Sequence, residues 1–382
     1  VLTTLARGRL GDGTLRGRRV AVVVHLEAKT AYLATLLAAA GAKVVAAGSN
    51  PRSTQDAVCA ALVRRGIEVH ARHGASADEF TADLLAVADT GPELVVDDGA
   101  ELTRRILEHR PDLVERLRGV TEETTTGVAR LRAMAAAGRL GFPAIAANDA
   151  ACKHLFDNPH GTGQSALTAV LRLTNLSAAG KRFCVVGYGW VGQGLARRAA
   201  GYGGKVTVVE VDPVRALQAI MDGFRVAPLA RALEDADVVL TATGLADALP
   251  AAAFAHLKDG ALLANAGHHD LEIDVPALGE GEEVRRGVTR HEVAGRRVHL
   301  LVGGALVNIA GGDGNPVEIM DLSFSVQALA VHRLASGAVP PGLHPFPAEL
   351  DAEIARTKLA TLGIELDEQT EAQLRVAREW SA

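Results

Sequence analysis

Aromatic side chains are scarce, with Phe, Trp and Tyr together making up 3% of the 382 residues. The core must therefore be filled by Ala, Val and Leu, the usual filling of helix-covered parallel sheets. Cysteine is scarcer still. Cys59, Cys152 and Cys184 fit neither a paired disulfide framework nor a metal-ligand spacing. The sequence therefore gives no metal site, and a reducing cytoplasm is the expected compartment. No apolar run approaches the roughly 20 residues of a membrane span, and the polar, Gly/Arg-rich stretch up to Arg19 lacks a secretory apolar region. Lys and Arg are scattered and the net charge is −5, which excludes a nucleic-acid surface. An ordinary soluble enzyme composition remains, on a chain longer than one hydrophobic core usually covers, so two domains are expected.

Strand–helix alternation comes in two blocks. The first runs from β-branched residues at 20–24 through a helix at 30–40, apolar runs at 43–47 and 67–70, and a buried-type strand at 93–96 that ends in Asp97-Asp98-Gly99. The second starts at 182–186 and repeats through 205–210, 237–241, 261–265 and 298–301. Both patterns predict mostly parallel sheets. Residues 146–179 read as helix with a loop at 158–163, where the hinge is placed, and a second crossing falls at 313–321. The Gly/Pro-rich stretch 336–347 reads as a loop leading to a C-terminal helical segment. The fold class is thus α/β, with two Rossmann-like doubly wound domains joined by a hinge. Residues 1–155 and 316–345 form a substrate-binding domain, 156–315 a dinucleotide domain, and 346–382 a C-terminal segment.

The second block opens with Gly187-Tyr188-Gly189-Trp190-Val191-Gly192, a G-x-G-x-x-G turn directly after a strand and before a helix. Gly187 permits the tight turn, Gly189 lets backbone approach a pyrophosphate, and Gly192 lets helix and strand pack closely. The helix start then presents its dipole and free amides to the phosphates. Glu210 ends the next strand, 18 residues after Gly192, close to the roughly 20 expected for the ribose-binding acid. A carboxylate there repels a 2′-phosphate, so NAD is expected over NADP. The bland reading, a Gly-rich turn in an unliganded α/β unit, does not account for the whole strand–turn–helix–strand–Glu sequence.

Other polar residues sit where open α/β sheets bind ligands, at strand C-termini. Asp97-Asp98 there fits a helix cap or a ligand contact. His25 fits a structural histidine or a proton carrier, and Glu122-Glu123 fits a solvated pair or a pocket wall. His160 and His269 are read as surface or supporting groups.

Ser53-Thr54-Gln55-Asp56, Asp97-Asp98-Gly99, Glu122-Glu123-Thr124-Thr125-Thr126-Gly127, Asn148-Asp149, Lys153, Phe156-Asp157-Asn158, the Gly187–Gly192 turn, Gly267-His268 and Leu306-Val307-Asn308 together resemble the S-adenosyl-L-homocysteine hydrolase family. Their order and spacing match over nearly the whole chain. His25-Leu26-Glu27-Ala28-Lys29-Thr30 and Val317-Glu318-Ile319-Met320-Asp321 resemble its shorter, archaeal-like branch, without the Lys/Tyr tail that longer members lend to a neighbour's cofactor site.

The resemblance implies a tightly bound NAD that oxidises a ribose 3′-hydroxyl and is regenerated in each turnover. The 3′-ketone makes the C4′ proton acidic, the C5′ substituent leaves, water adds, and the ketone is reduced. By the same resemblance Lys153 and Asp157 stand at the 2′,3′-hydroxyls, with Lys153 needing a lowered pKa to take a proton. Asp98 is the C4′ base, Glu123 holds the ribose, and His25 and His268 handle protons at C5′. Thr124, Thr125, Thr126, Asn158, Thr243 and Asn308 hold the nicotinamide end. Glu27, Lys29, Thr30, Thr124 and Asn315 join the substrate contacts. A Glu27/Lys29 pair suits adenine or hypoxanthine, and Lys29 is equally readable as a solvated helix residue. A homo-oligomer, tetramer or dimer, is implied as well.

Three departures fall beside motifs: Asn315 stands where the family usually has His, Ala100 where a Gly is usual, and Asn158-Pro159-His160-Gly161 replaces an Asn-x-Tyr-Gly stretch. The leading expectation is reversible hydrolysis of S-adenosyl- or S-inosyl-homocysteine. The Asn315 loop motivates a second, a relative from nucleoside antibiotic biosynthesis that reversibly dehydrates a hydroxymethyl nucleoside to an unsaturated sugar. A catalytically silent NAD-bound sensor is a third.

Overall fold

Runs of β-branched and small apolar residues become strands wherever helices cover both faces, and the chain does this twice. A computed structural model describes residues 1–268 and 270–378, and His269 lies outside the described residues. The first sheet holds β1 (Arg19–Val23), β2 (Lys43–Ala47), β3 (Glu68–Val69), β4 (Leu94–Asp97), β5 (Gly119–Glu122) and β6 (Pro143–Ala146). The second holds β7 (Arg182–Val186), β8 (Lys205–Val209), β9 (Arg225–Val226), β10 (Val238–Thr241), β11 (Ala261–Asn265), β12 (Gly281–Arg285), β13 (Val288–Val293) and β14 (Arg296–Leu301). β15 (Gly342–Pro345) returns to the first sheet, whose order is β15-β6-β5-β4-β1-β2-β3 with all pairs parallel. The second sheet runs β12-β13-β14-β11-β10-β7-β8-β9, parallel except for the antiparallel β12–β13–β14 edge.

Strand alternation splits each sheet's side chains between two cores. Val20, Val22, Leu94 and Val96 pack on one face with Phe324 and Leu33, and Ala21, Val23, Val95 and Val120 on the other with Ile106 and Leu131. Phe183 and Val185 face Leu167 and Leu195, while Cys184 and Val186 face Leu233 and Phe254.

The chain leaves the first sheet through a short helix Ala151–His154, a π-helical turn Asp157–Thr162 and the helix Gly163–Thr174. It comes back through Val307–Ala310 and the helix Val317–Ala335, which lies on the first sheet. The stretch 158–163 is therefore wound, not the expected loop. Pro159 has no N–H for the ladder, and the Gly161 amide reaches the Phe156 carbonyl five residues back. Gly163 packs where a β-carbon would stand 2.7 Å from Gly194 Cα, so two helices cross at glycines. The 336–347 loop also differs from expectation, since β15 lies within it. The helices Ala348–Thr361 and Glu371–Arg378 form the expected C-terminal helical segment.

Candidate active site

The C-terminal ends of both sheets' strands converge on one cleft, and the acid pairs show how. Successive strand residues point opposite ways. Asp97 turns under the helix Glu101–His109, where it accepts from Leu102 N (3.2 Å), Thr103 N (2.8 Å) and Thr103 Oγ1 (2.6 Å). The cap reading thus holds for Asp97, whose carboxyl burial pushes up to about 6 against these bonds. Asp98, also fully buried, faces the cleft. Ser49 Oγ donates to its Oδ2 at 2.7 Å, His25 Nε2 stands 3.6 Å from Oδ2, and His268 Nδ1 stands 3.6 Å from Oδ1. Burial alone would raise this carboxyl, but His25, His268, Ser49 and Lys153 outweigh it and hold the group below the usual range. Burial lowers the His268 imidazole against the pull of Asp98. His25 is oriented by Ser53 Oγ at 2.6 Å from Nδ1, and Thr30 Oγ1 donates to its carbonyl at 2.6 Å. One ligand atom each of His25, Asp98 and His268 lies within 4.8 Å of the others, a donor set able to chelate a transition-metal ion that the sequence reading did not foresee.

Glu122 and Glu123 divide the same way, and neither is solvated. Glu122 accepts from the amides of Gly99, Ala100 and Thr124, at 2.9 Å each. This pins Ala100, which holds a left-handed φ of 54° that Gly would adopt without strain. Glu123 faces the cleft, accepts from Gln327, and has Lys153 Nζ at 3.8 Å from its Oε1. Lys153 also reaches Asp157 Oδ2 (3.1 Å) and donates to Asn158 Oδ1 (2.9 Å). Burial drives Glu123 up to about 8 despite Lys153, with Asp157 adding to the rise. For Lys153 the expectation of a lowered pKa is corrected. Burial does push it down, but Asp157, Glu123 and Asp98 overcome this and raise it, so it stands as a buried ammonium.

Asp157 accepts from Ser323 Oγ at 2.8 Å and from Asn315 Nδ2. Asn315 also donates to Thr162 Oγ1 and accepts from Ser165 Oγ (2.9 Å) and Asn308 Nδ2 (3.0 Å). It therefore ties the outward crossing to the return one. Glu27 is buried, and Lys29 Nζ bonds both its carboxylate (2.7 Å) and Asp313 O (2.8 Å).

Thr124 caps the helix Thr125–Ala136. Its hydroxyl donates to Glu122 (2.9 Å) and accepts from Gly99 N and Gly127 N (3.1 Å each). That fills a hydroxyl's capacity, so Thr124 serves here as the helix cap. Thr125 is exposed, and Thr126 Oγ1 lies beside Gly244, 3.0 Å from where a β-carbon there would sit. Asn308 is buried with Oδ1 unbonded. His160 is exposed, as read.

The second lobe forms a cradle fitting a dinucleotide. Gly187 has φ 97° and passes so close to Ala242 O that a β-carbon would stand 2.8 Å away, and one on Gly192 would run into Gly187 O. Gly189 opens onto free space, with only Arg215 at 3.7 Å. Val191 lies in the first turn of the helix Trp190–Gly201. Glu210 accepts from Tyr188 N (2.6 Å), Val211 N (2.7 Å) and Asp212 N (3.0 Å), which holds the acid beside the glycine turn. Thr243 N and Oγ1 both donate to Glu272. Three buried polar atoms face the cleft without a hydrogen bond: Asp98 Oδ1, Glu123 Oε1 and Asn308 Oδ1. Buried acceptors are costly unless satisfied, and ribose hydroxyls and a carboxamide N–H₂ are donors of the matching kind.

Ser49, Ser323, Gln327 and Glu272 carry site geometry that the sequence reading missed. A signal existed for two of them: Ser323 and Gln327 are polar and four residues apart within the mostly apolar, buried middle of the helix Val317–Ala335.

The family description S-adenosyl-L-homocysteine hydrolase matches residues 2–113, and its NAD-binding domain matches 158–314. An S-inosyl-L-homocysteine hydrolase of Methanopyrus kandleri is 49% identical over 374 residues, covering 96% of this chain and 88% of that protein. An adenosylhomocysteinase of Thermotoga maritima is 48% identical over 387 residues, covering 100% and 96%. One of Archaeoglobus fulgidus is 46% identical over 372 residues, covering 96% and 92%.

Proposed function

The chain belongs to the S-adenosyl-L-homocysteine hydrolase family, and from that premise we propose that it reversibly hydrolyses a purine ribosyl thioether, S-adenosyl- or S-inosyl-L-homocysteine, to nucleoside and homocysteine. The observation that carries this reading is the pairing of a charged, cleft-facing Asp98 with a separate buried Lys153–Glu123–Asp157 cluster. NAD, the family's cofactor, supplies the hydride acceptor for the ribose 3′-carbon when bound, and Gly187, Gly189, Val191, Gly192, Glu210, Thr243, Thr126, Asn158 and Asn308 would hold it.

Glu123 and Asp157 grip the ribose hydroxyls, and the Lys153 ammonium stabilises negative charge at the 3′-oxygen. The proton leaves through the neighbouring carboxyls, because Lys153 already carries its own. Asp98, ionised and with Oδ1 unbonded, removes the C4′ proton. His268 and His25, on either side of Asp98, pass protons to the leaving sulfur and from the incoming water. Burial of these groups strengthens their electrostatics and excludes bulk water.

The dehydratase alternative loses its motive. It rested on Asn315 acting near C5′, whereas Asn315 bonds Asp157, Thr162, Ser165 and Asn308, and the relatives above are named hydrolases. A homo-oligomer is supported by the exposed apolar stripe Val214, Leu217, Ile220 and Met221 on the helix Pro213–Met221. Three buried free cysteines support a reducing, cytoplasmic setting. No helix of the described residues is long and apolar enough to cross a membrane.

The test is an assay of NAD-loaded protein with each thioether, following thiol release and nucleoside mass. Homocysteine release from one or both establishes the reading and assigns the purine. A nucleoside product lighter by one water, with no thiol released, overturns it.

A further inference from the structure

Glu272 is fully buried, and its partners are N–H and O–H groups, not a cation. Gly244 N donates to Oε1 at 2.7 Å, and Thr243 N (2.9 Å) and Oγ1 (3.1 Å) donate to Oε2. The acid belongs to the chain that follows β11, whereas its donors follow β10. Against the other side of the same carboxylate lies Gly267, where an added methyl would run into Oε1. Gly267 is the residue before His268. It is held from below by Asn265 Oδ1, which accepts its amide at 2.8 Å, while Asn265 Nδ2 donates to Gly304 O. Gly244, at φ 72°, in turn backs onto Thr126 of the first lobe. One carboxylate thus sits between the turn that faces the cofactor cradle and the residue that delivers the proton-transfer histidine.

Such an acid is costly. Burial pushes its carboxyl up, and hydrogen bonds from Thr243, Gly244 and the Thr241 side chain oppose this. An apolar residue would fill the space at lower cost but would leave the Thr243 and Gly244 amides without acceptors and the two loops without a common anchor.

We propose that Glu272 is a positioning residue that locks the Thr243–Gly244 turn to the Gly267–His268 segment, so that the cofactor-facing turn and the proton carrier keep one register. The functional part rests on the catalytic reading above. The lock itself can be read without substrate.

The discriminating property is that both carboxylate oxygens face donors. In Glu272→Gln, either orientation of the amide points an N–H₂ at an N–H, so at least one bond is lost. Gly267→Ala attacks the lock from the opposite loop, although Gly267 makes no hydrogen bond to the turn. Amide hydrogen exchange of the wild type and both variants, without NAD or substrate, reads the lock directly. Loss of a buried bond of this kind predicts about tenfold or greater deprotection at Thr243–Leu245 in both variants. With saturating NAD and thioether, the same variants should lose about tenfold or more in kcat with KM within about threefold, because ground-state contacts to the ribose are untouched.

Thr243→Val removes the hydroxyl that donates to Glu272 and also accepts from Leu245 N, so it is read at the amides of positions 243 and 244, where it should show a smaller deprotection, and it serves if Glu272→Gln does not fold. Unchanged exchange at 243–245 in Gly267→Ala overturns the coupling, and unchanged exchange in Glu272→Gln or in Thr243→Val overturns the anchor. If the wild type turns over neither thioether while exchange responds as predicted, the lock stands and the catalytic reading falls.

Discussion

Lys153→Met tests whether the buried cluster works as an ion network or as packing. Lys153 lies 3.1 Å from Asp157 and 3.8 Å from Glu123, and all three side chains are at most 7% exposed. At an effective dielectric near 20 the Lys153–Asp157 attraction is about 5 kcal/mol gross. Removing one partner of a buried pair typically costs about 3–5 kcal/mol, because the other charge is stranded. Here the lower end applies near pH 8, since Met fills much of the lysine volume and Ser323 and Asn315 still donate to Asp157. The pH dependence is the sharper part. The wild-type Lys153 is raised and stays charged from pH 5 to 8, so it adds no slope there. Glu123, raised to about 8, contributes stability that is full below the ordinary carboxyl value of 4.5 and is lost as the pH rises through about 8. Without Lys153 the carboxyls need protons in place of the cation, so the variant's penalty must grow with pH. Urea unfolding at pH 5 and pH 8 should show a loss of about 3 kcal/mol at pH 8 and roughly half of that at pH 5. Equal losses at both pH values, or a larger one at pH 5, would refute the network. The kcat should also fall by about 10²–10³, the loss of a preorganised charge at the 3′-oxygen.

Ala100→Gly relieves the left-handed strain at φ 54° and should raise stability by about 1 kcal/mol, seen as a higher melting temperature; a lower one would show that Ala100 packing outweighs its backbone cost. Asn308→Ala removes the buried Oδ1 assigned to the carboxamide and should weaken NAD binding about tenfold by calorimetry, whereas unchanged affinity would move the nicotinamide elsewhere. His268 is faced by Asp98, His25, Glu101 and Arg130, and burial lowers its pKa, while Asp98 is lowered by both histidines. The acid limb of kcat/KM should then fall below the ordinary imidazole value of 6.5, and the stability linked to His268 should be full above that value and decline as the pH drops. A limb at or above it would contradict the assignment.

The parallel sheets were legible because continuous apolar runs such as 20–23 and 261–264 are buried on both faces, and length, β-branching and bounding turns separate them from helices. β5, β6 and β15 escaped notice. Gly119-Val120-Thr121-Glu122, Pro143-Ala144-Ile145-Ala146 and Gly342-Leu343-His344-Pro345 are four-residue stretches interrupted by Gly, Pro or polar residues, none of them a continuous apolar run, and sheet pairing rather than propensity makes them strands. The β12–β13 hairpin was missed because β12 is exposed along its length and shows no buried alternation. At the site, spacing and resemblance named residues that the fold gathers at the cleft but not their protonation. Lys153 illustrates this: its own burial argues for a lowered pKa, and only the positions of Asp157 and Glu123 reverse the sign.

That reversal follows from how the chain uses its acids. Asp97, Glu122 and Glu272 each accept from backbone amides and so fix loops, whereas Asp98, Glu123 and Asp157 face the cleft. The two pairs Asp97-Asp98 and Glu122-Glu123 obtain both roles from strand alternation alone, one acid under the loop and the next above it. Concentrating this much negative charge below the surface is tolerable only if amides or cations answer each carboxylate. Amides answer the loop-fixing set permanently. The cleft-facing set shares Lys153, His25 and His268, and still leaves Asp98 Oδ1 and Glu123 Oε1 unbonded. The residual demand at both atoms is for a hydrogen-bearing ligand group, which a phosphate or carboxylate would not present. Acid placement on two parallel strands therefore sets this end of the cleft against an anionic ligand.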